Sequence, residues 1–427
     1  GIRKRRCCVR ARCATSACIH CGAARRAAIC FRNRRRRVRI CSPRACAFLA
    51  GGAERYEGVG GEGERGGVIR EIDGLSFDHT VPLTYATAFR ADVYTANEDP
   101  PDTREAFTLL TVRGTDSYLL IPEQHSAPQT LPPDIKPIQL PIKNAYLCAS
   151  SSMSLVASLG ALDALRFSAI QKKDWYIDEA VRAMDAGSLL YAGKYSAPDF
   201  ERLLDGKCPI AIESMMIYHS PQIREKLESL GITVFIDTAS YEAHPLGRLE
   251  WIKVYGLLFG KEREAERFFD EQTQKLAALN QLGANASSAK KKVAFFFVSP
   301  LGMVVIRGSD DYIVKMIELA GGTYAFPATK KSTSPSVQIS MEQFYAQAGD
   351  ADILIYNASI DNSIRSKQDL LDKNPLFAEF KAVKSENVWA TGKYLYQATD
   401  KIGDMILDIH AILDGKSDET RFLERVE

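Results

Sequence analysis

From Ala145 onward, short apolar runs alternate with amphipathic runs, and this alternation limits most what the chain can fold into. A short run that is apolar at every residue reads as a strand buried on both faces. Apolar residues three or four apart read as a helix packed on one side. Residues 145–149 form such an apolar run. Ser150, Ser151 and Ser152 then supply hydroxyls at a helix start, and residues 153–165 carry Leu155, Leu159 and Leu162 on one face. Residues 210–212 are the next strand. Ser220-Pro221 opens a helix that Gly231 closes, and residues 232–236 are again a strand. Strands separated by helices are parallel neighbours in an α/β sheet.

One segment interrupts this rhythm. His244-Pro245-Leu-Gly-Arg248 leads a helical run to Phe259, Gly260 breaks it, and residues 261–282 resume it for 22 residues. At 1.5 Å per residue that helix is roughly 33 Å long, enough to cross between two bodies. Strand and helix then begin again, with strands at 292–298, 303–306, 353–356 and 388–390. Helices follow at 312–319, at 370–380 with an interruption at Pro375, and at 402–413. Upstream, residues 85–94, 107–112 and 117–121 are β-branched or aromatic runs separated by turn residues. They predict a strand followed by a hairpin. Residues 129–141 hold four prolines and must be extended.

The reading is an α/β protein. Two three-layer α/β lobes (residues 141–245 and 290–427) are joined by a single long helix within residues 246–289. A β-rich extension (71–140) and a disordered basic head with its linker (1–70) precede them. A short internal parallel supports two similar lobes. Residues 196–204, with Glu201, lead to the strand at 210–212, and residues 339–345, with Glu342, lead to the strand at 353–356.

The charge of +2 is an average of two unlike parts. Residues 1–50 hold 14 Arg, one Lys and no acid, hence +15. The remaining 40 basic and 53 acidic residues give −13 for residues 51–427. The folding part is therefore acidic, which excludes a uniformly basic nucleic-acid binder. Eight of the ten cysteines lie in the first 46 positions, so the rest is no disulfide-stapled globule, and spacing does not tell whether Cys148 and Cys208 pair. No run of 18 apolar residues occurs that would span a membrane as a helix. The head has one CxxC, at Cys18 and Cys21, without a clean second pair for zinc. Its Arg- and Cys-rich content is what a Leu- and Ala-rich export leader gives when a GC-rich gene is read out of frame. We expect residues 1–50 to be such a frameshifted or misjoined leader.

Motifs in the alternating region resemble those of the substrate-binding proteins of ABC importers for ferric siderophores, haem and cobalamin. The residues that carry the resemblance are Ala149-Ser-Ser-Ser152, the stretch from Ser240 to Arg248 with Glu250-Trp251, the helix from Tyr312 to Gly321-Gly322, and Asn387-Val-Trp389. The resemblance runs from about Leu83 to Leu413. It implies two α/β lobes joined by a rigid helix, with ligand held in the cleft between them. It also implies one exposed Glu on each lobe that pairs with Arg of the membrane permease, and Glu201 and Glu342 fit those positions. An extracytoplasmic monomer is expected, periplasmic or at the cell surface. It would touch the membrane only through the permease or a lipid anchor, with an iron chelate as ligand and no cofactor. Haem or cobalamin is the alternative ligand, and a non-transport cell-surface binding domain the alternative role.

Ligands of open α/β sheets sit beyond the carboxyl ends of the strands. In the first lobe this places Ser151, Met215, Met216 and Tyr241 there, with Lys173, Trp175 and Tyr195 on loops. In the second it places Arg307, Asn357, Lys393 and Tyr396. Aromatic faces, thioethers and cations together suit a large, partly apolar anion. Met215 and Met216 also suit core filling, and Arg307 equally suits a surface ion pair. Trp175 follows Lys172-Lys173-Asp174 and is expected exposed in a loop. The histidines are scattered, and His244, before Pro245, reads as structural. Neither a GxSxG elbow nor a P-loop occurs, and the GxGxxG at Gly58, Gly60 and Gly63 lies in a Gly/Glu linker with no strand before it. The expectation is binding without catalysis.

Overall fold

The computed structural model describes residues 70–98, 105–283, 290–326 and 335–427, so the readings of the basic head and of GxGxxG lie outside the described residues. The chain opens on a five-stranded sheet, β1 (Leu75–Thr80), β2 (Phe89–Ala96), β3 (Ala106–Val112), β4 (Ser117–Ile121) and β5 (Ile135–Gln139), side by side in chain order. Its pairs are antiparallel except β4 with β5, where the proline-rich stretch lies extended along β4. One face of this sheet, with Phe89, Ala91, Leu110 and Tyr118, joins the main core. The other, with Tyr94, Phe107, Leu109 and Leu119, has a small core of its own.

The first lobe is a parallel sheet in the order β12 (Thr233–Asp237), β11 (Ile210–Ser214), β6 (Ala145–Leu147), β7 (Leu165–Ser168) and β8 (Leu190–Tyr191). The short pair β9 (Gly193–Lys194) and β10 (Ala197–Pro198) follows it. Its helices are α1 (Met153–Ser158), α2 (Asp178–Asp185), α3 (Phe200–Asp205) and α4 (Pro221–Ser229). The helix expected over 153–165 stops early. Gly160 takes the left-handed φ of 65° that ends α1, and Leu165, in step with the helical leucines, instead starts β7.

Helices α5 (Pro245–Glu250), α6 (Ile252–Phe259) and α7 (Glu262–Gly283) form the crossing, and Gly260 separates the last two with a φ of 65°. The second lobe is built on a seven-stranded sheet. Along it lie β16 (Ser336–Ile339), β14 (Val304–Arg307), β13 (Lys292–Val298), β17 (Ile353–Tyr356), β18 (Val388–Thr391) and β19 (Leu423–Arg425), with β15 (Thr323–Tyr324) also paired to β13. Strands β13, β17 and β18 run parallel, while β14, β16 and β19 run against their neighbours. Its helices are α8 (Tyr312–Leu319), α9 (Met341–Ala348), α10 (Lys367–Lys373), α11 (Lys381–Lys384) and α12 (Ile402–Asp414). A stack of Phe296, Phe344, Phe377 and Phe380 fills the space between sheet and helices. Each such buried ring stabilises by about 1.5–3 kcal/mol. The architecture is α/β, with two lobes on either side of the crossing helices.

Two devices hold the N-terminal sheet to this body. At the open edge of the first lobe, the Tyr118 hydroxyl donates to the Val234 carbonyl and accepts from the Ile236 amide, both at 3.1 Å. Beside it, Asp116 accepts from Arg224 at 2.5 Å and from Lys136 at 2.8 Å. The second device is a clasp. Residues 85–88, expected in a strand, form a loop whose amides turn onto two buried carboxylates, Glu242 just before the crossing and Glu250 at the end of α5. Glu250 accepts from Thr84 at 2.9 Å and from Tyr85 and Ala86 at 2.7 Å. Glu242 accepts from the Thr87 amide and hydroxyl at 2.8 and 2.9 Å, from Ala88 at 2.7 Å, and from the Trp251 indole at 3.2 Å. Gly247 permits the approach, since a Cβ there would lie 3.0 Å from the Tyr85 carbonyl oxygen.

Candidate functional site: the cleft at the strand ends

Beyond the carboxyl ends of the first lobe's strands the chain leaves a cavity of ≈ 370 Å³. Cys148, Ala149, Ser150 and Ser151 follow β6 into it, Ser214 ends β11 and Met216 follows it, and Ala239 and Ser240 follow β12. Ile170 and Tyr195 add a side wall. Arg248 enters from α5, Tyr312 from the start of α8, Tyr396 and Thr399 from the segment leading into α12, and Ile402 and Met405 from the start of α12 itself. The cavity thus lies between the two lobes and against the crossing.

Arg248 is the one ionised side chain among its described lining residues. Its guanidinium lies on the face of Tyr312, 3.6 Å from the ring centre. The Nε donates to the Glu242 carbonyl at 3.0 Å, and a terminal nitrogen donates to the Ser240 carbonyl. Among the described residues no carboxylate is within ion-pair distance of it. Burial pulls its pKa below the ordinary guanidinium value, with the Tyr312 phenol and Asp311 acting in the opposite sense. An uncompensated cation in a partly dry site attracts an anion and accepts bidentate pairing.

Behind the lining lie two buried carboxylates of opposite character. Asp237 accepts from Ser152, from the Tyr255 phenol and, at 2.7 Å, from the Ala239 amide, so it fixes the turns after β6 and β12. Burial still raises its pKa. Glu213, on the penultimate position of β11, has 0% exposure and no hydrogen-bond partner in normal geometry for either carboxylate oxygen. Burial pushes its pKa up to about 7, and only the Cys148 thiol pulls the other way. Cys148 and Cys208 are both free thiols.

Hydrogen bonds cross the cleft's end. The Gln397 side chain accepts from the Tyr176 amide at 2.9 Å and donates to the Asp174 carbonyl at 2.8 Å. Thr399 donates to the Ser151 carbonyl at 2.7 Å.

Of the residues picked from sequence, Ser151, Tyr195, Met216 and Tyr396 line the cavity. Asn357 stands one layer back, 1% exposed, and donates to the Tyr396 hydroxyl at 2.7 Å. Met215 packs against the outer core of the first lobe. Tyr241 is 61% exposed just past β12, and Lys173 and Lys393 are exposed, none of the three on the lining. Arg307 makes an ion pair with Asp311 at 2.5 Å and donates to Ser336 at 3.0 Å; it is paired as the sequence alternative had it, but the pair is largely buried, not on the surface. Trp175 corrects an expectation. It is 4% exposed, and its indole donates to the Ser168 hydroxyl at 3.2 Å. The charged residues before it form an exposed turn, which delivers the next side chain inward. Glu201 and Glu342 are exposed in the first turns of α3 and α9.

Sequence reasoning missed Arg248, Tyr312, Thr399 and Met405 as lining residues. The signal for Arg248 was present, four residues beyond His244. His244 caps α5 through its Nδ1, which accepts from Leu246 at 3.2 Å, so its position fixes where Arg248 falls on the helix. No group of three or more His, Cys, Asp or Glu among the described residues is placed to hold a metal ion.

Comparison with known proteins agrees with this fold. An uncharacterized lipoprotein of Methanocaldococcus jannaschii is 26% identical over 296 residues, covering 67% of this chain and 69% of the relative. The periplasmic heme-binding protein of Vibrio cholerae superimposes with a TM-score of 0.52 at 20% identity, over 64% of this chain and 98% of that one. A periplasmic binding protein of Veillonella parvula superimposes with a TM-score of 0.51 at 17% identity, over 75% of this chain and 98% of that one. These structural likenesses establish the fold. The sequence pattern of the family described as periplasmic binding protein matches residues 149–395, more than half of the chain, and the protein belongs to that family.

Proposed function

We propose that this protein captures an iron chelate outside the cytoplasm and delivers it to an ABC permease, by binding and without catalysis. The observation that carries the reading is Arg248, an unpaired cation stacked on Tyr312 in an otherwise aromatic, hydroxyl- and sulfur-lined cleft. Such a cleft suits a bulky ligand with apolar surface and negative charge. The exposed carboxylates of Glu201 and Glu342, one per lobe, support docking on two basic points of a permease. The family and the lipoprotein named among the relatives support an extracytoplasmic place.

Haem is the second reading. Tyr195, Tyr312 and Tyr396 bring three phenols to one cleft, and the Vibrio cholerae neighbour is named for haem. Equilibrium dialysis and fluorescence quenching of the purified protein separate the ligands. The panel is a ferric tris-catecholate chelate, a ferric trihydroxamate chelate, haemin and cyanocobalamin. Saturable one-to-one binding of a ferric chelate, weakened in Arg248→Gln, is the expected result. Preference for haemin selects the second reading, and no saturable binding to any member overturns the ligand class.

A further inference from the structure

We infer that Glu242 is a positioning residue for the ligand-facing Arg248, and that through it the N-terminal sheet is a working part of the cleft. Glu242 serves two neighbours at once. Its carboxylate holds the Thr87 and Ala88 amides, the Thr87 hydroxyl and the Trp251 indole, while its own carbonyl accepts from Arg248 Nε at 3.0 Å. A carbonyl can aim a guanidinium only as well as its own peptide is fixed, and this peptide is fixed by the loop that follows β1. The carboxylate is 2% exposed and meets four donors from outside the cleft. Loss of the carboxylate leaves those donors unmet and the peptide free to shift.

Glu250 supplies the control. It clasps the same loop, through Thr84, Tyr85 and Ala86, and is equally buried, yet it makes no bond to Arg248. Its ammonium neighbour is Lys253, at 3.4 Å. Loosening the sheet in general and releasing Arg248 in particular are therefore separable.

The first arm of the test needs no ligand. Phenylglyoxal labelling of the full-length protein, read at Arg248 by peptide mass mapping, reports how firmly the guanidinium is held. Glu242→Ala should speed labelling at Arg248 about tenfold, Glu242→Gln less, and Glu250→Ala less than about twofold. Circular dichroism checks that each variant is folded, and Glu242→Gln keeps the test alive if the alanine variant is not. Equal labelling of Glu242→Ala and wild type, or equal acceleration in Glu250→Ala, overturns the inference. The second arm rests on the proposed ligand class. Glu242→Ala should weaken the trianionic ferric tris-catecholate about tenfold and leave the uncharged ferric trihydroxamate within about twofold. Equal loss for both chelates also overturns it. If wild type binds neither chelate, the ligand reading fails while the labelling arm still decides the positioning role.

Discussion

Glu213 sits where a carboxylate is least at home, 0% exposed on β11 among the side chains of the first lobe's outer core. The titratable groups near it are the Cys148 thiol and the Tyr146 phenol, both from the β6 segment, and no cation acts on it. Its pKa is raised from 4.5 to about 7 by burial, and this sets a sign. Below pH 4.5 folded and unfolded chains are both protonated there. Between pH 4.5 and 7 the unfolded chain ionises first, so stability falls as pH rises, by roughly 3 kcal/mol in all, and levels off above 7. Glu213→Gln should match wild type at pH 4, below the window, and exceed it at pH 8 in urea unfolding. Parallel curves for the two proteins would rule this out. At this scale the sequence was least legible. The inward turn of Trp175 could not be read from its neighbours along the chain, because it depends on what the fold brings opposite the indole, here Ser168 of β7.

Elements were more legible where local chemistry and burial agree. The capping box of α9 is written in Ser340 and Gln343, and the Asp199 cap of α3 in its own spacing, so both helices carrying Glu201 and Glu342 could be placed from sequence. The crossing helix α7 kept its expected length of 22 residues, its charged residues from Glu262 to Lys275 interleaved with the buried Ala265, Phe269 and Leu276. Strand β7 was hidden because Leu159, Leu162 and Leu165 keep helical spacing through a glycine that ends the helix. Strand β19 has three residues, too few for any period to show. Glu201→Ala combined with Glu342→Ala should abolish uptake of the ligand by cells that carry the permease, while affinity in solution stays unchanged. Uptake surviving in the double variant would remove these two carboxylates from the interface. The single variants should fall between, since an exposed ion pair is worth about 0–1 kcal/mol.

Across the whole molecule, the two lobes meet through a few named bonds as well as through α7. Gln397 spans to the Asp174 and Tyr176 backbone with both ends of its amide. Gln397→Ala should speed ligand dissociation about tenfold with association little changed, because two neutral hydrogen bonds contribute about 1–3 kcal/mol. An unaltered dissociation rate in stopped-flow would show that this contact does not hold the lobes together. The alternation of strand and helix foretold both lobes, and the cavity lies at the strand ends of the first. The clasp on Glu242 and Glu250 was invisible because it joins residues more than 150 positions apart. The N-terminal sheet has one more consequence, through Tyr118. An open strand such as β12 is a template on which a second copy of the chain can extend the sheet, the first step of edge-to-edge aggregation. With one hydroxyl bound to both the Val234 carbonyl and the Ile236 amide, that template is spoiled at its centre. The side chain that fastens the extension thereby guards the lobe against self-association.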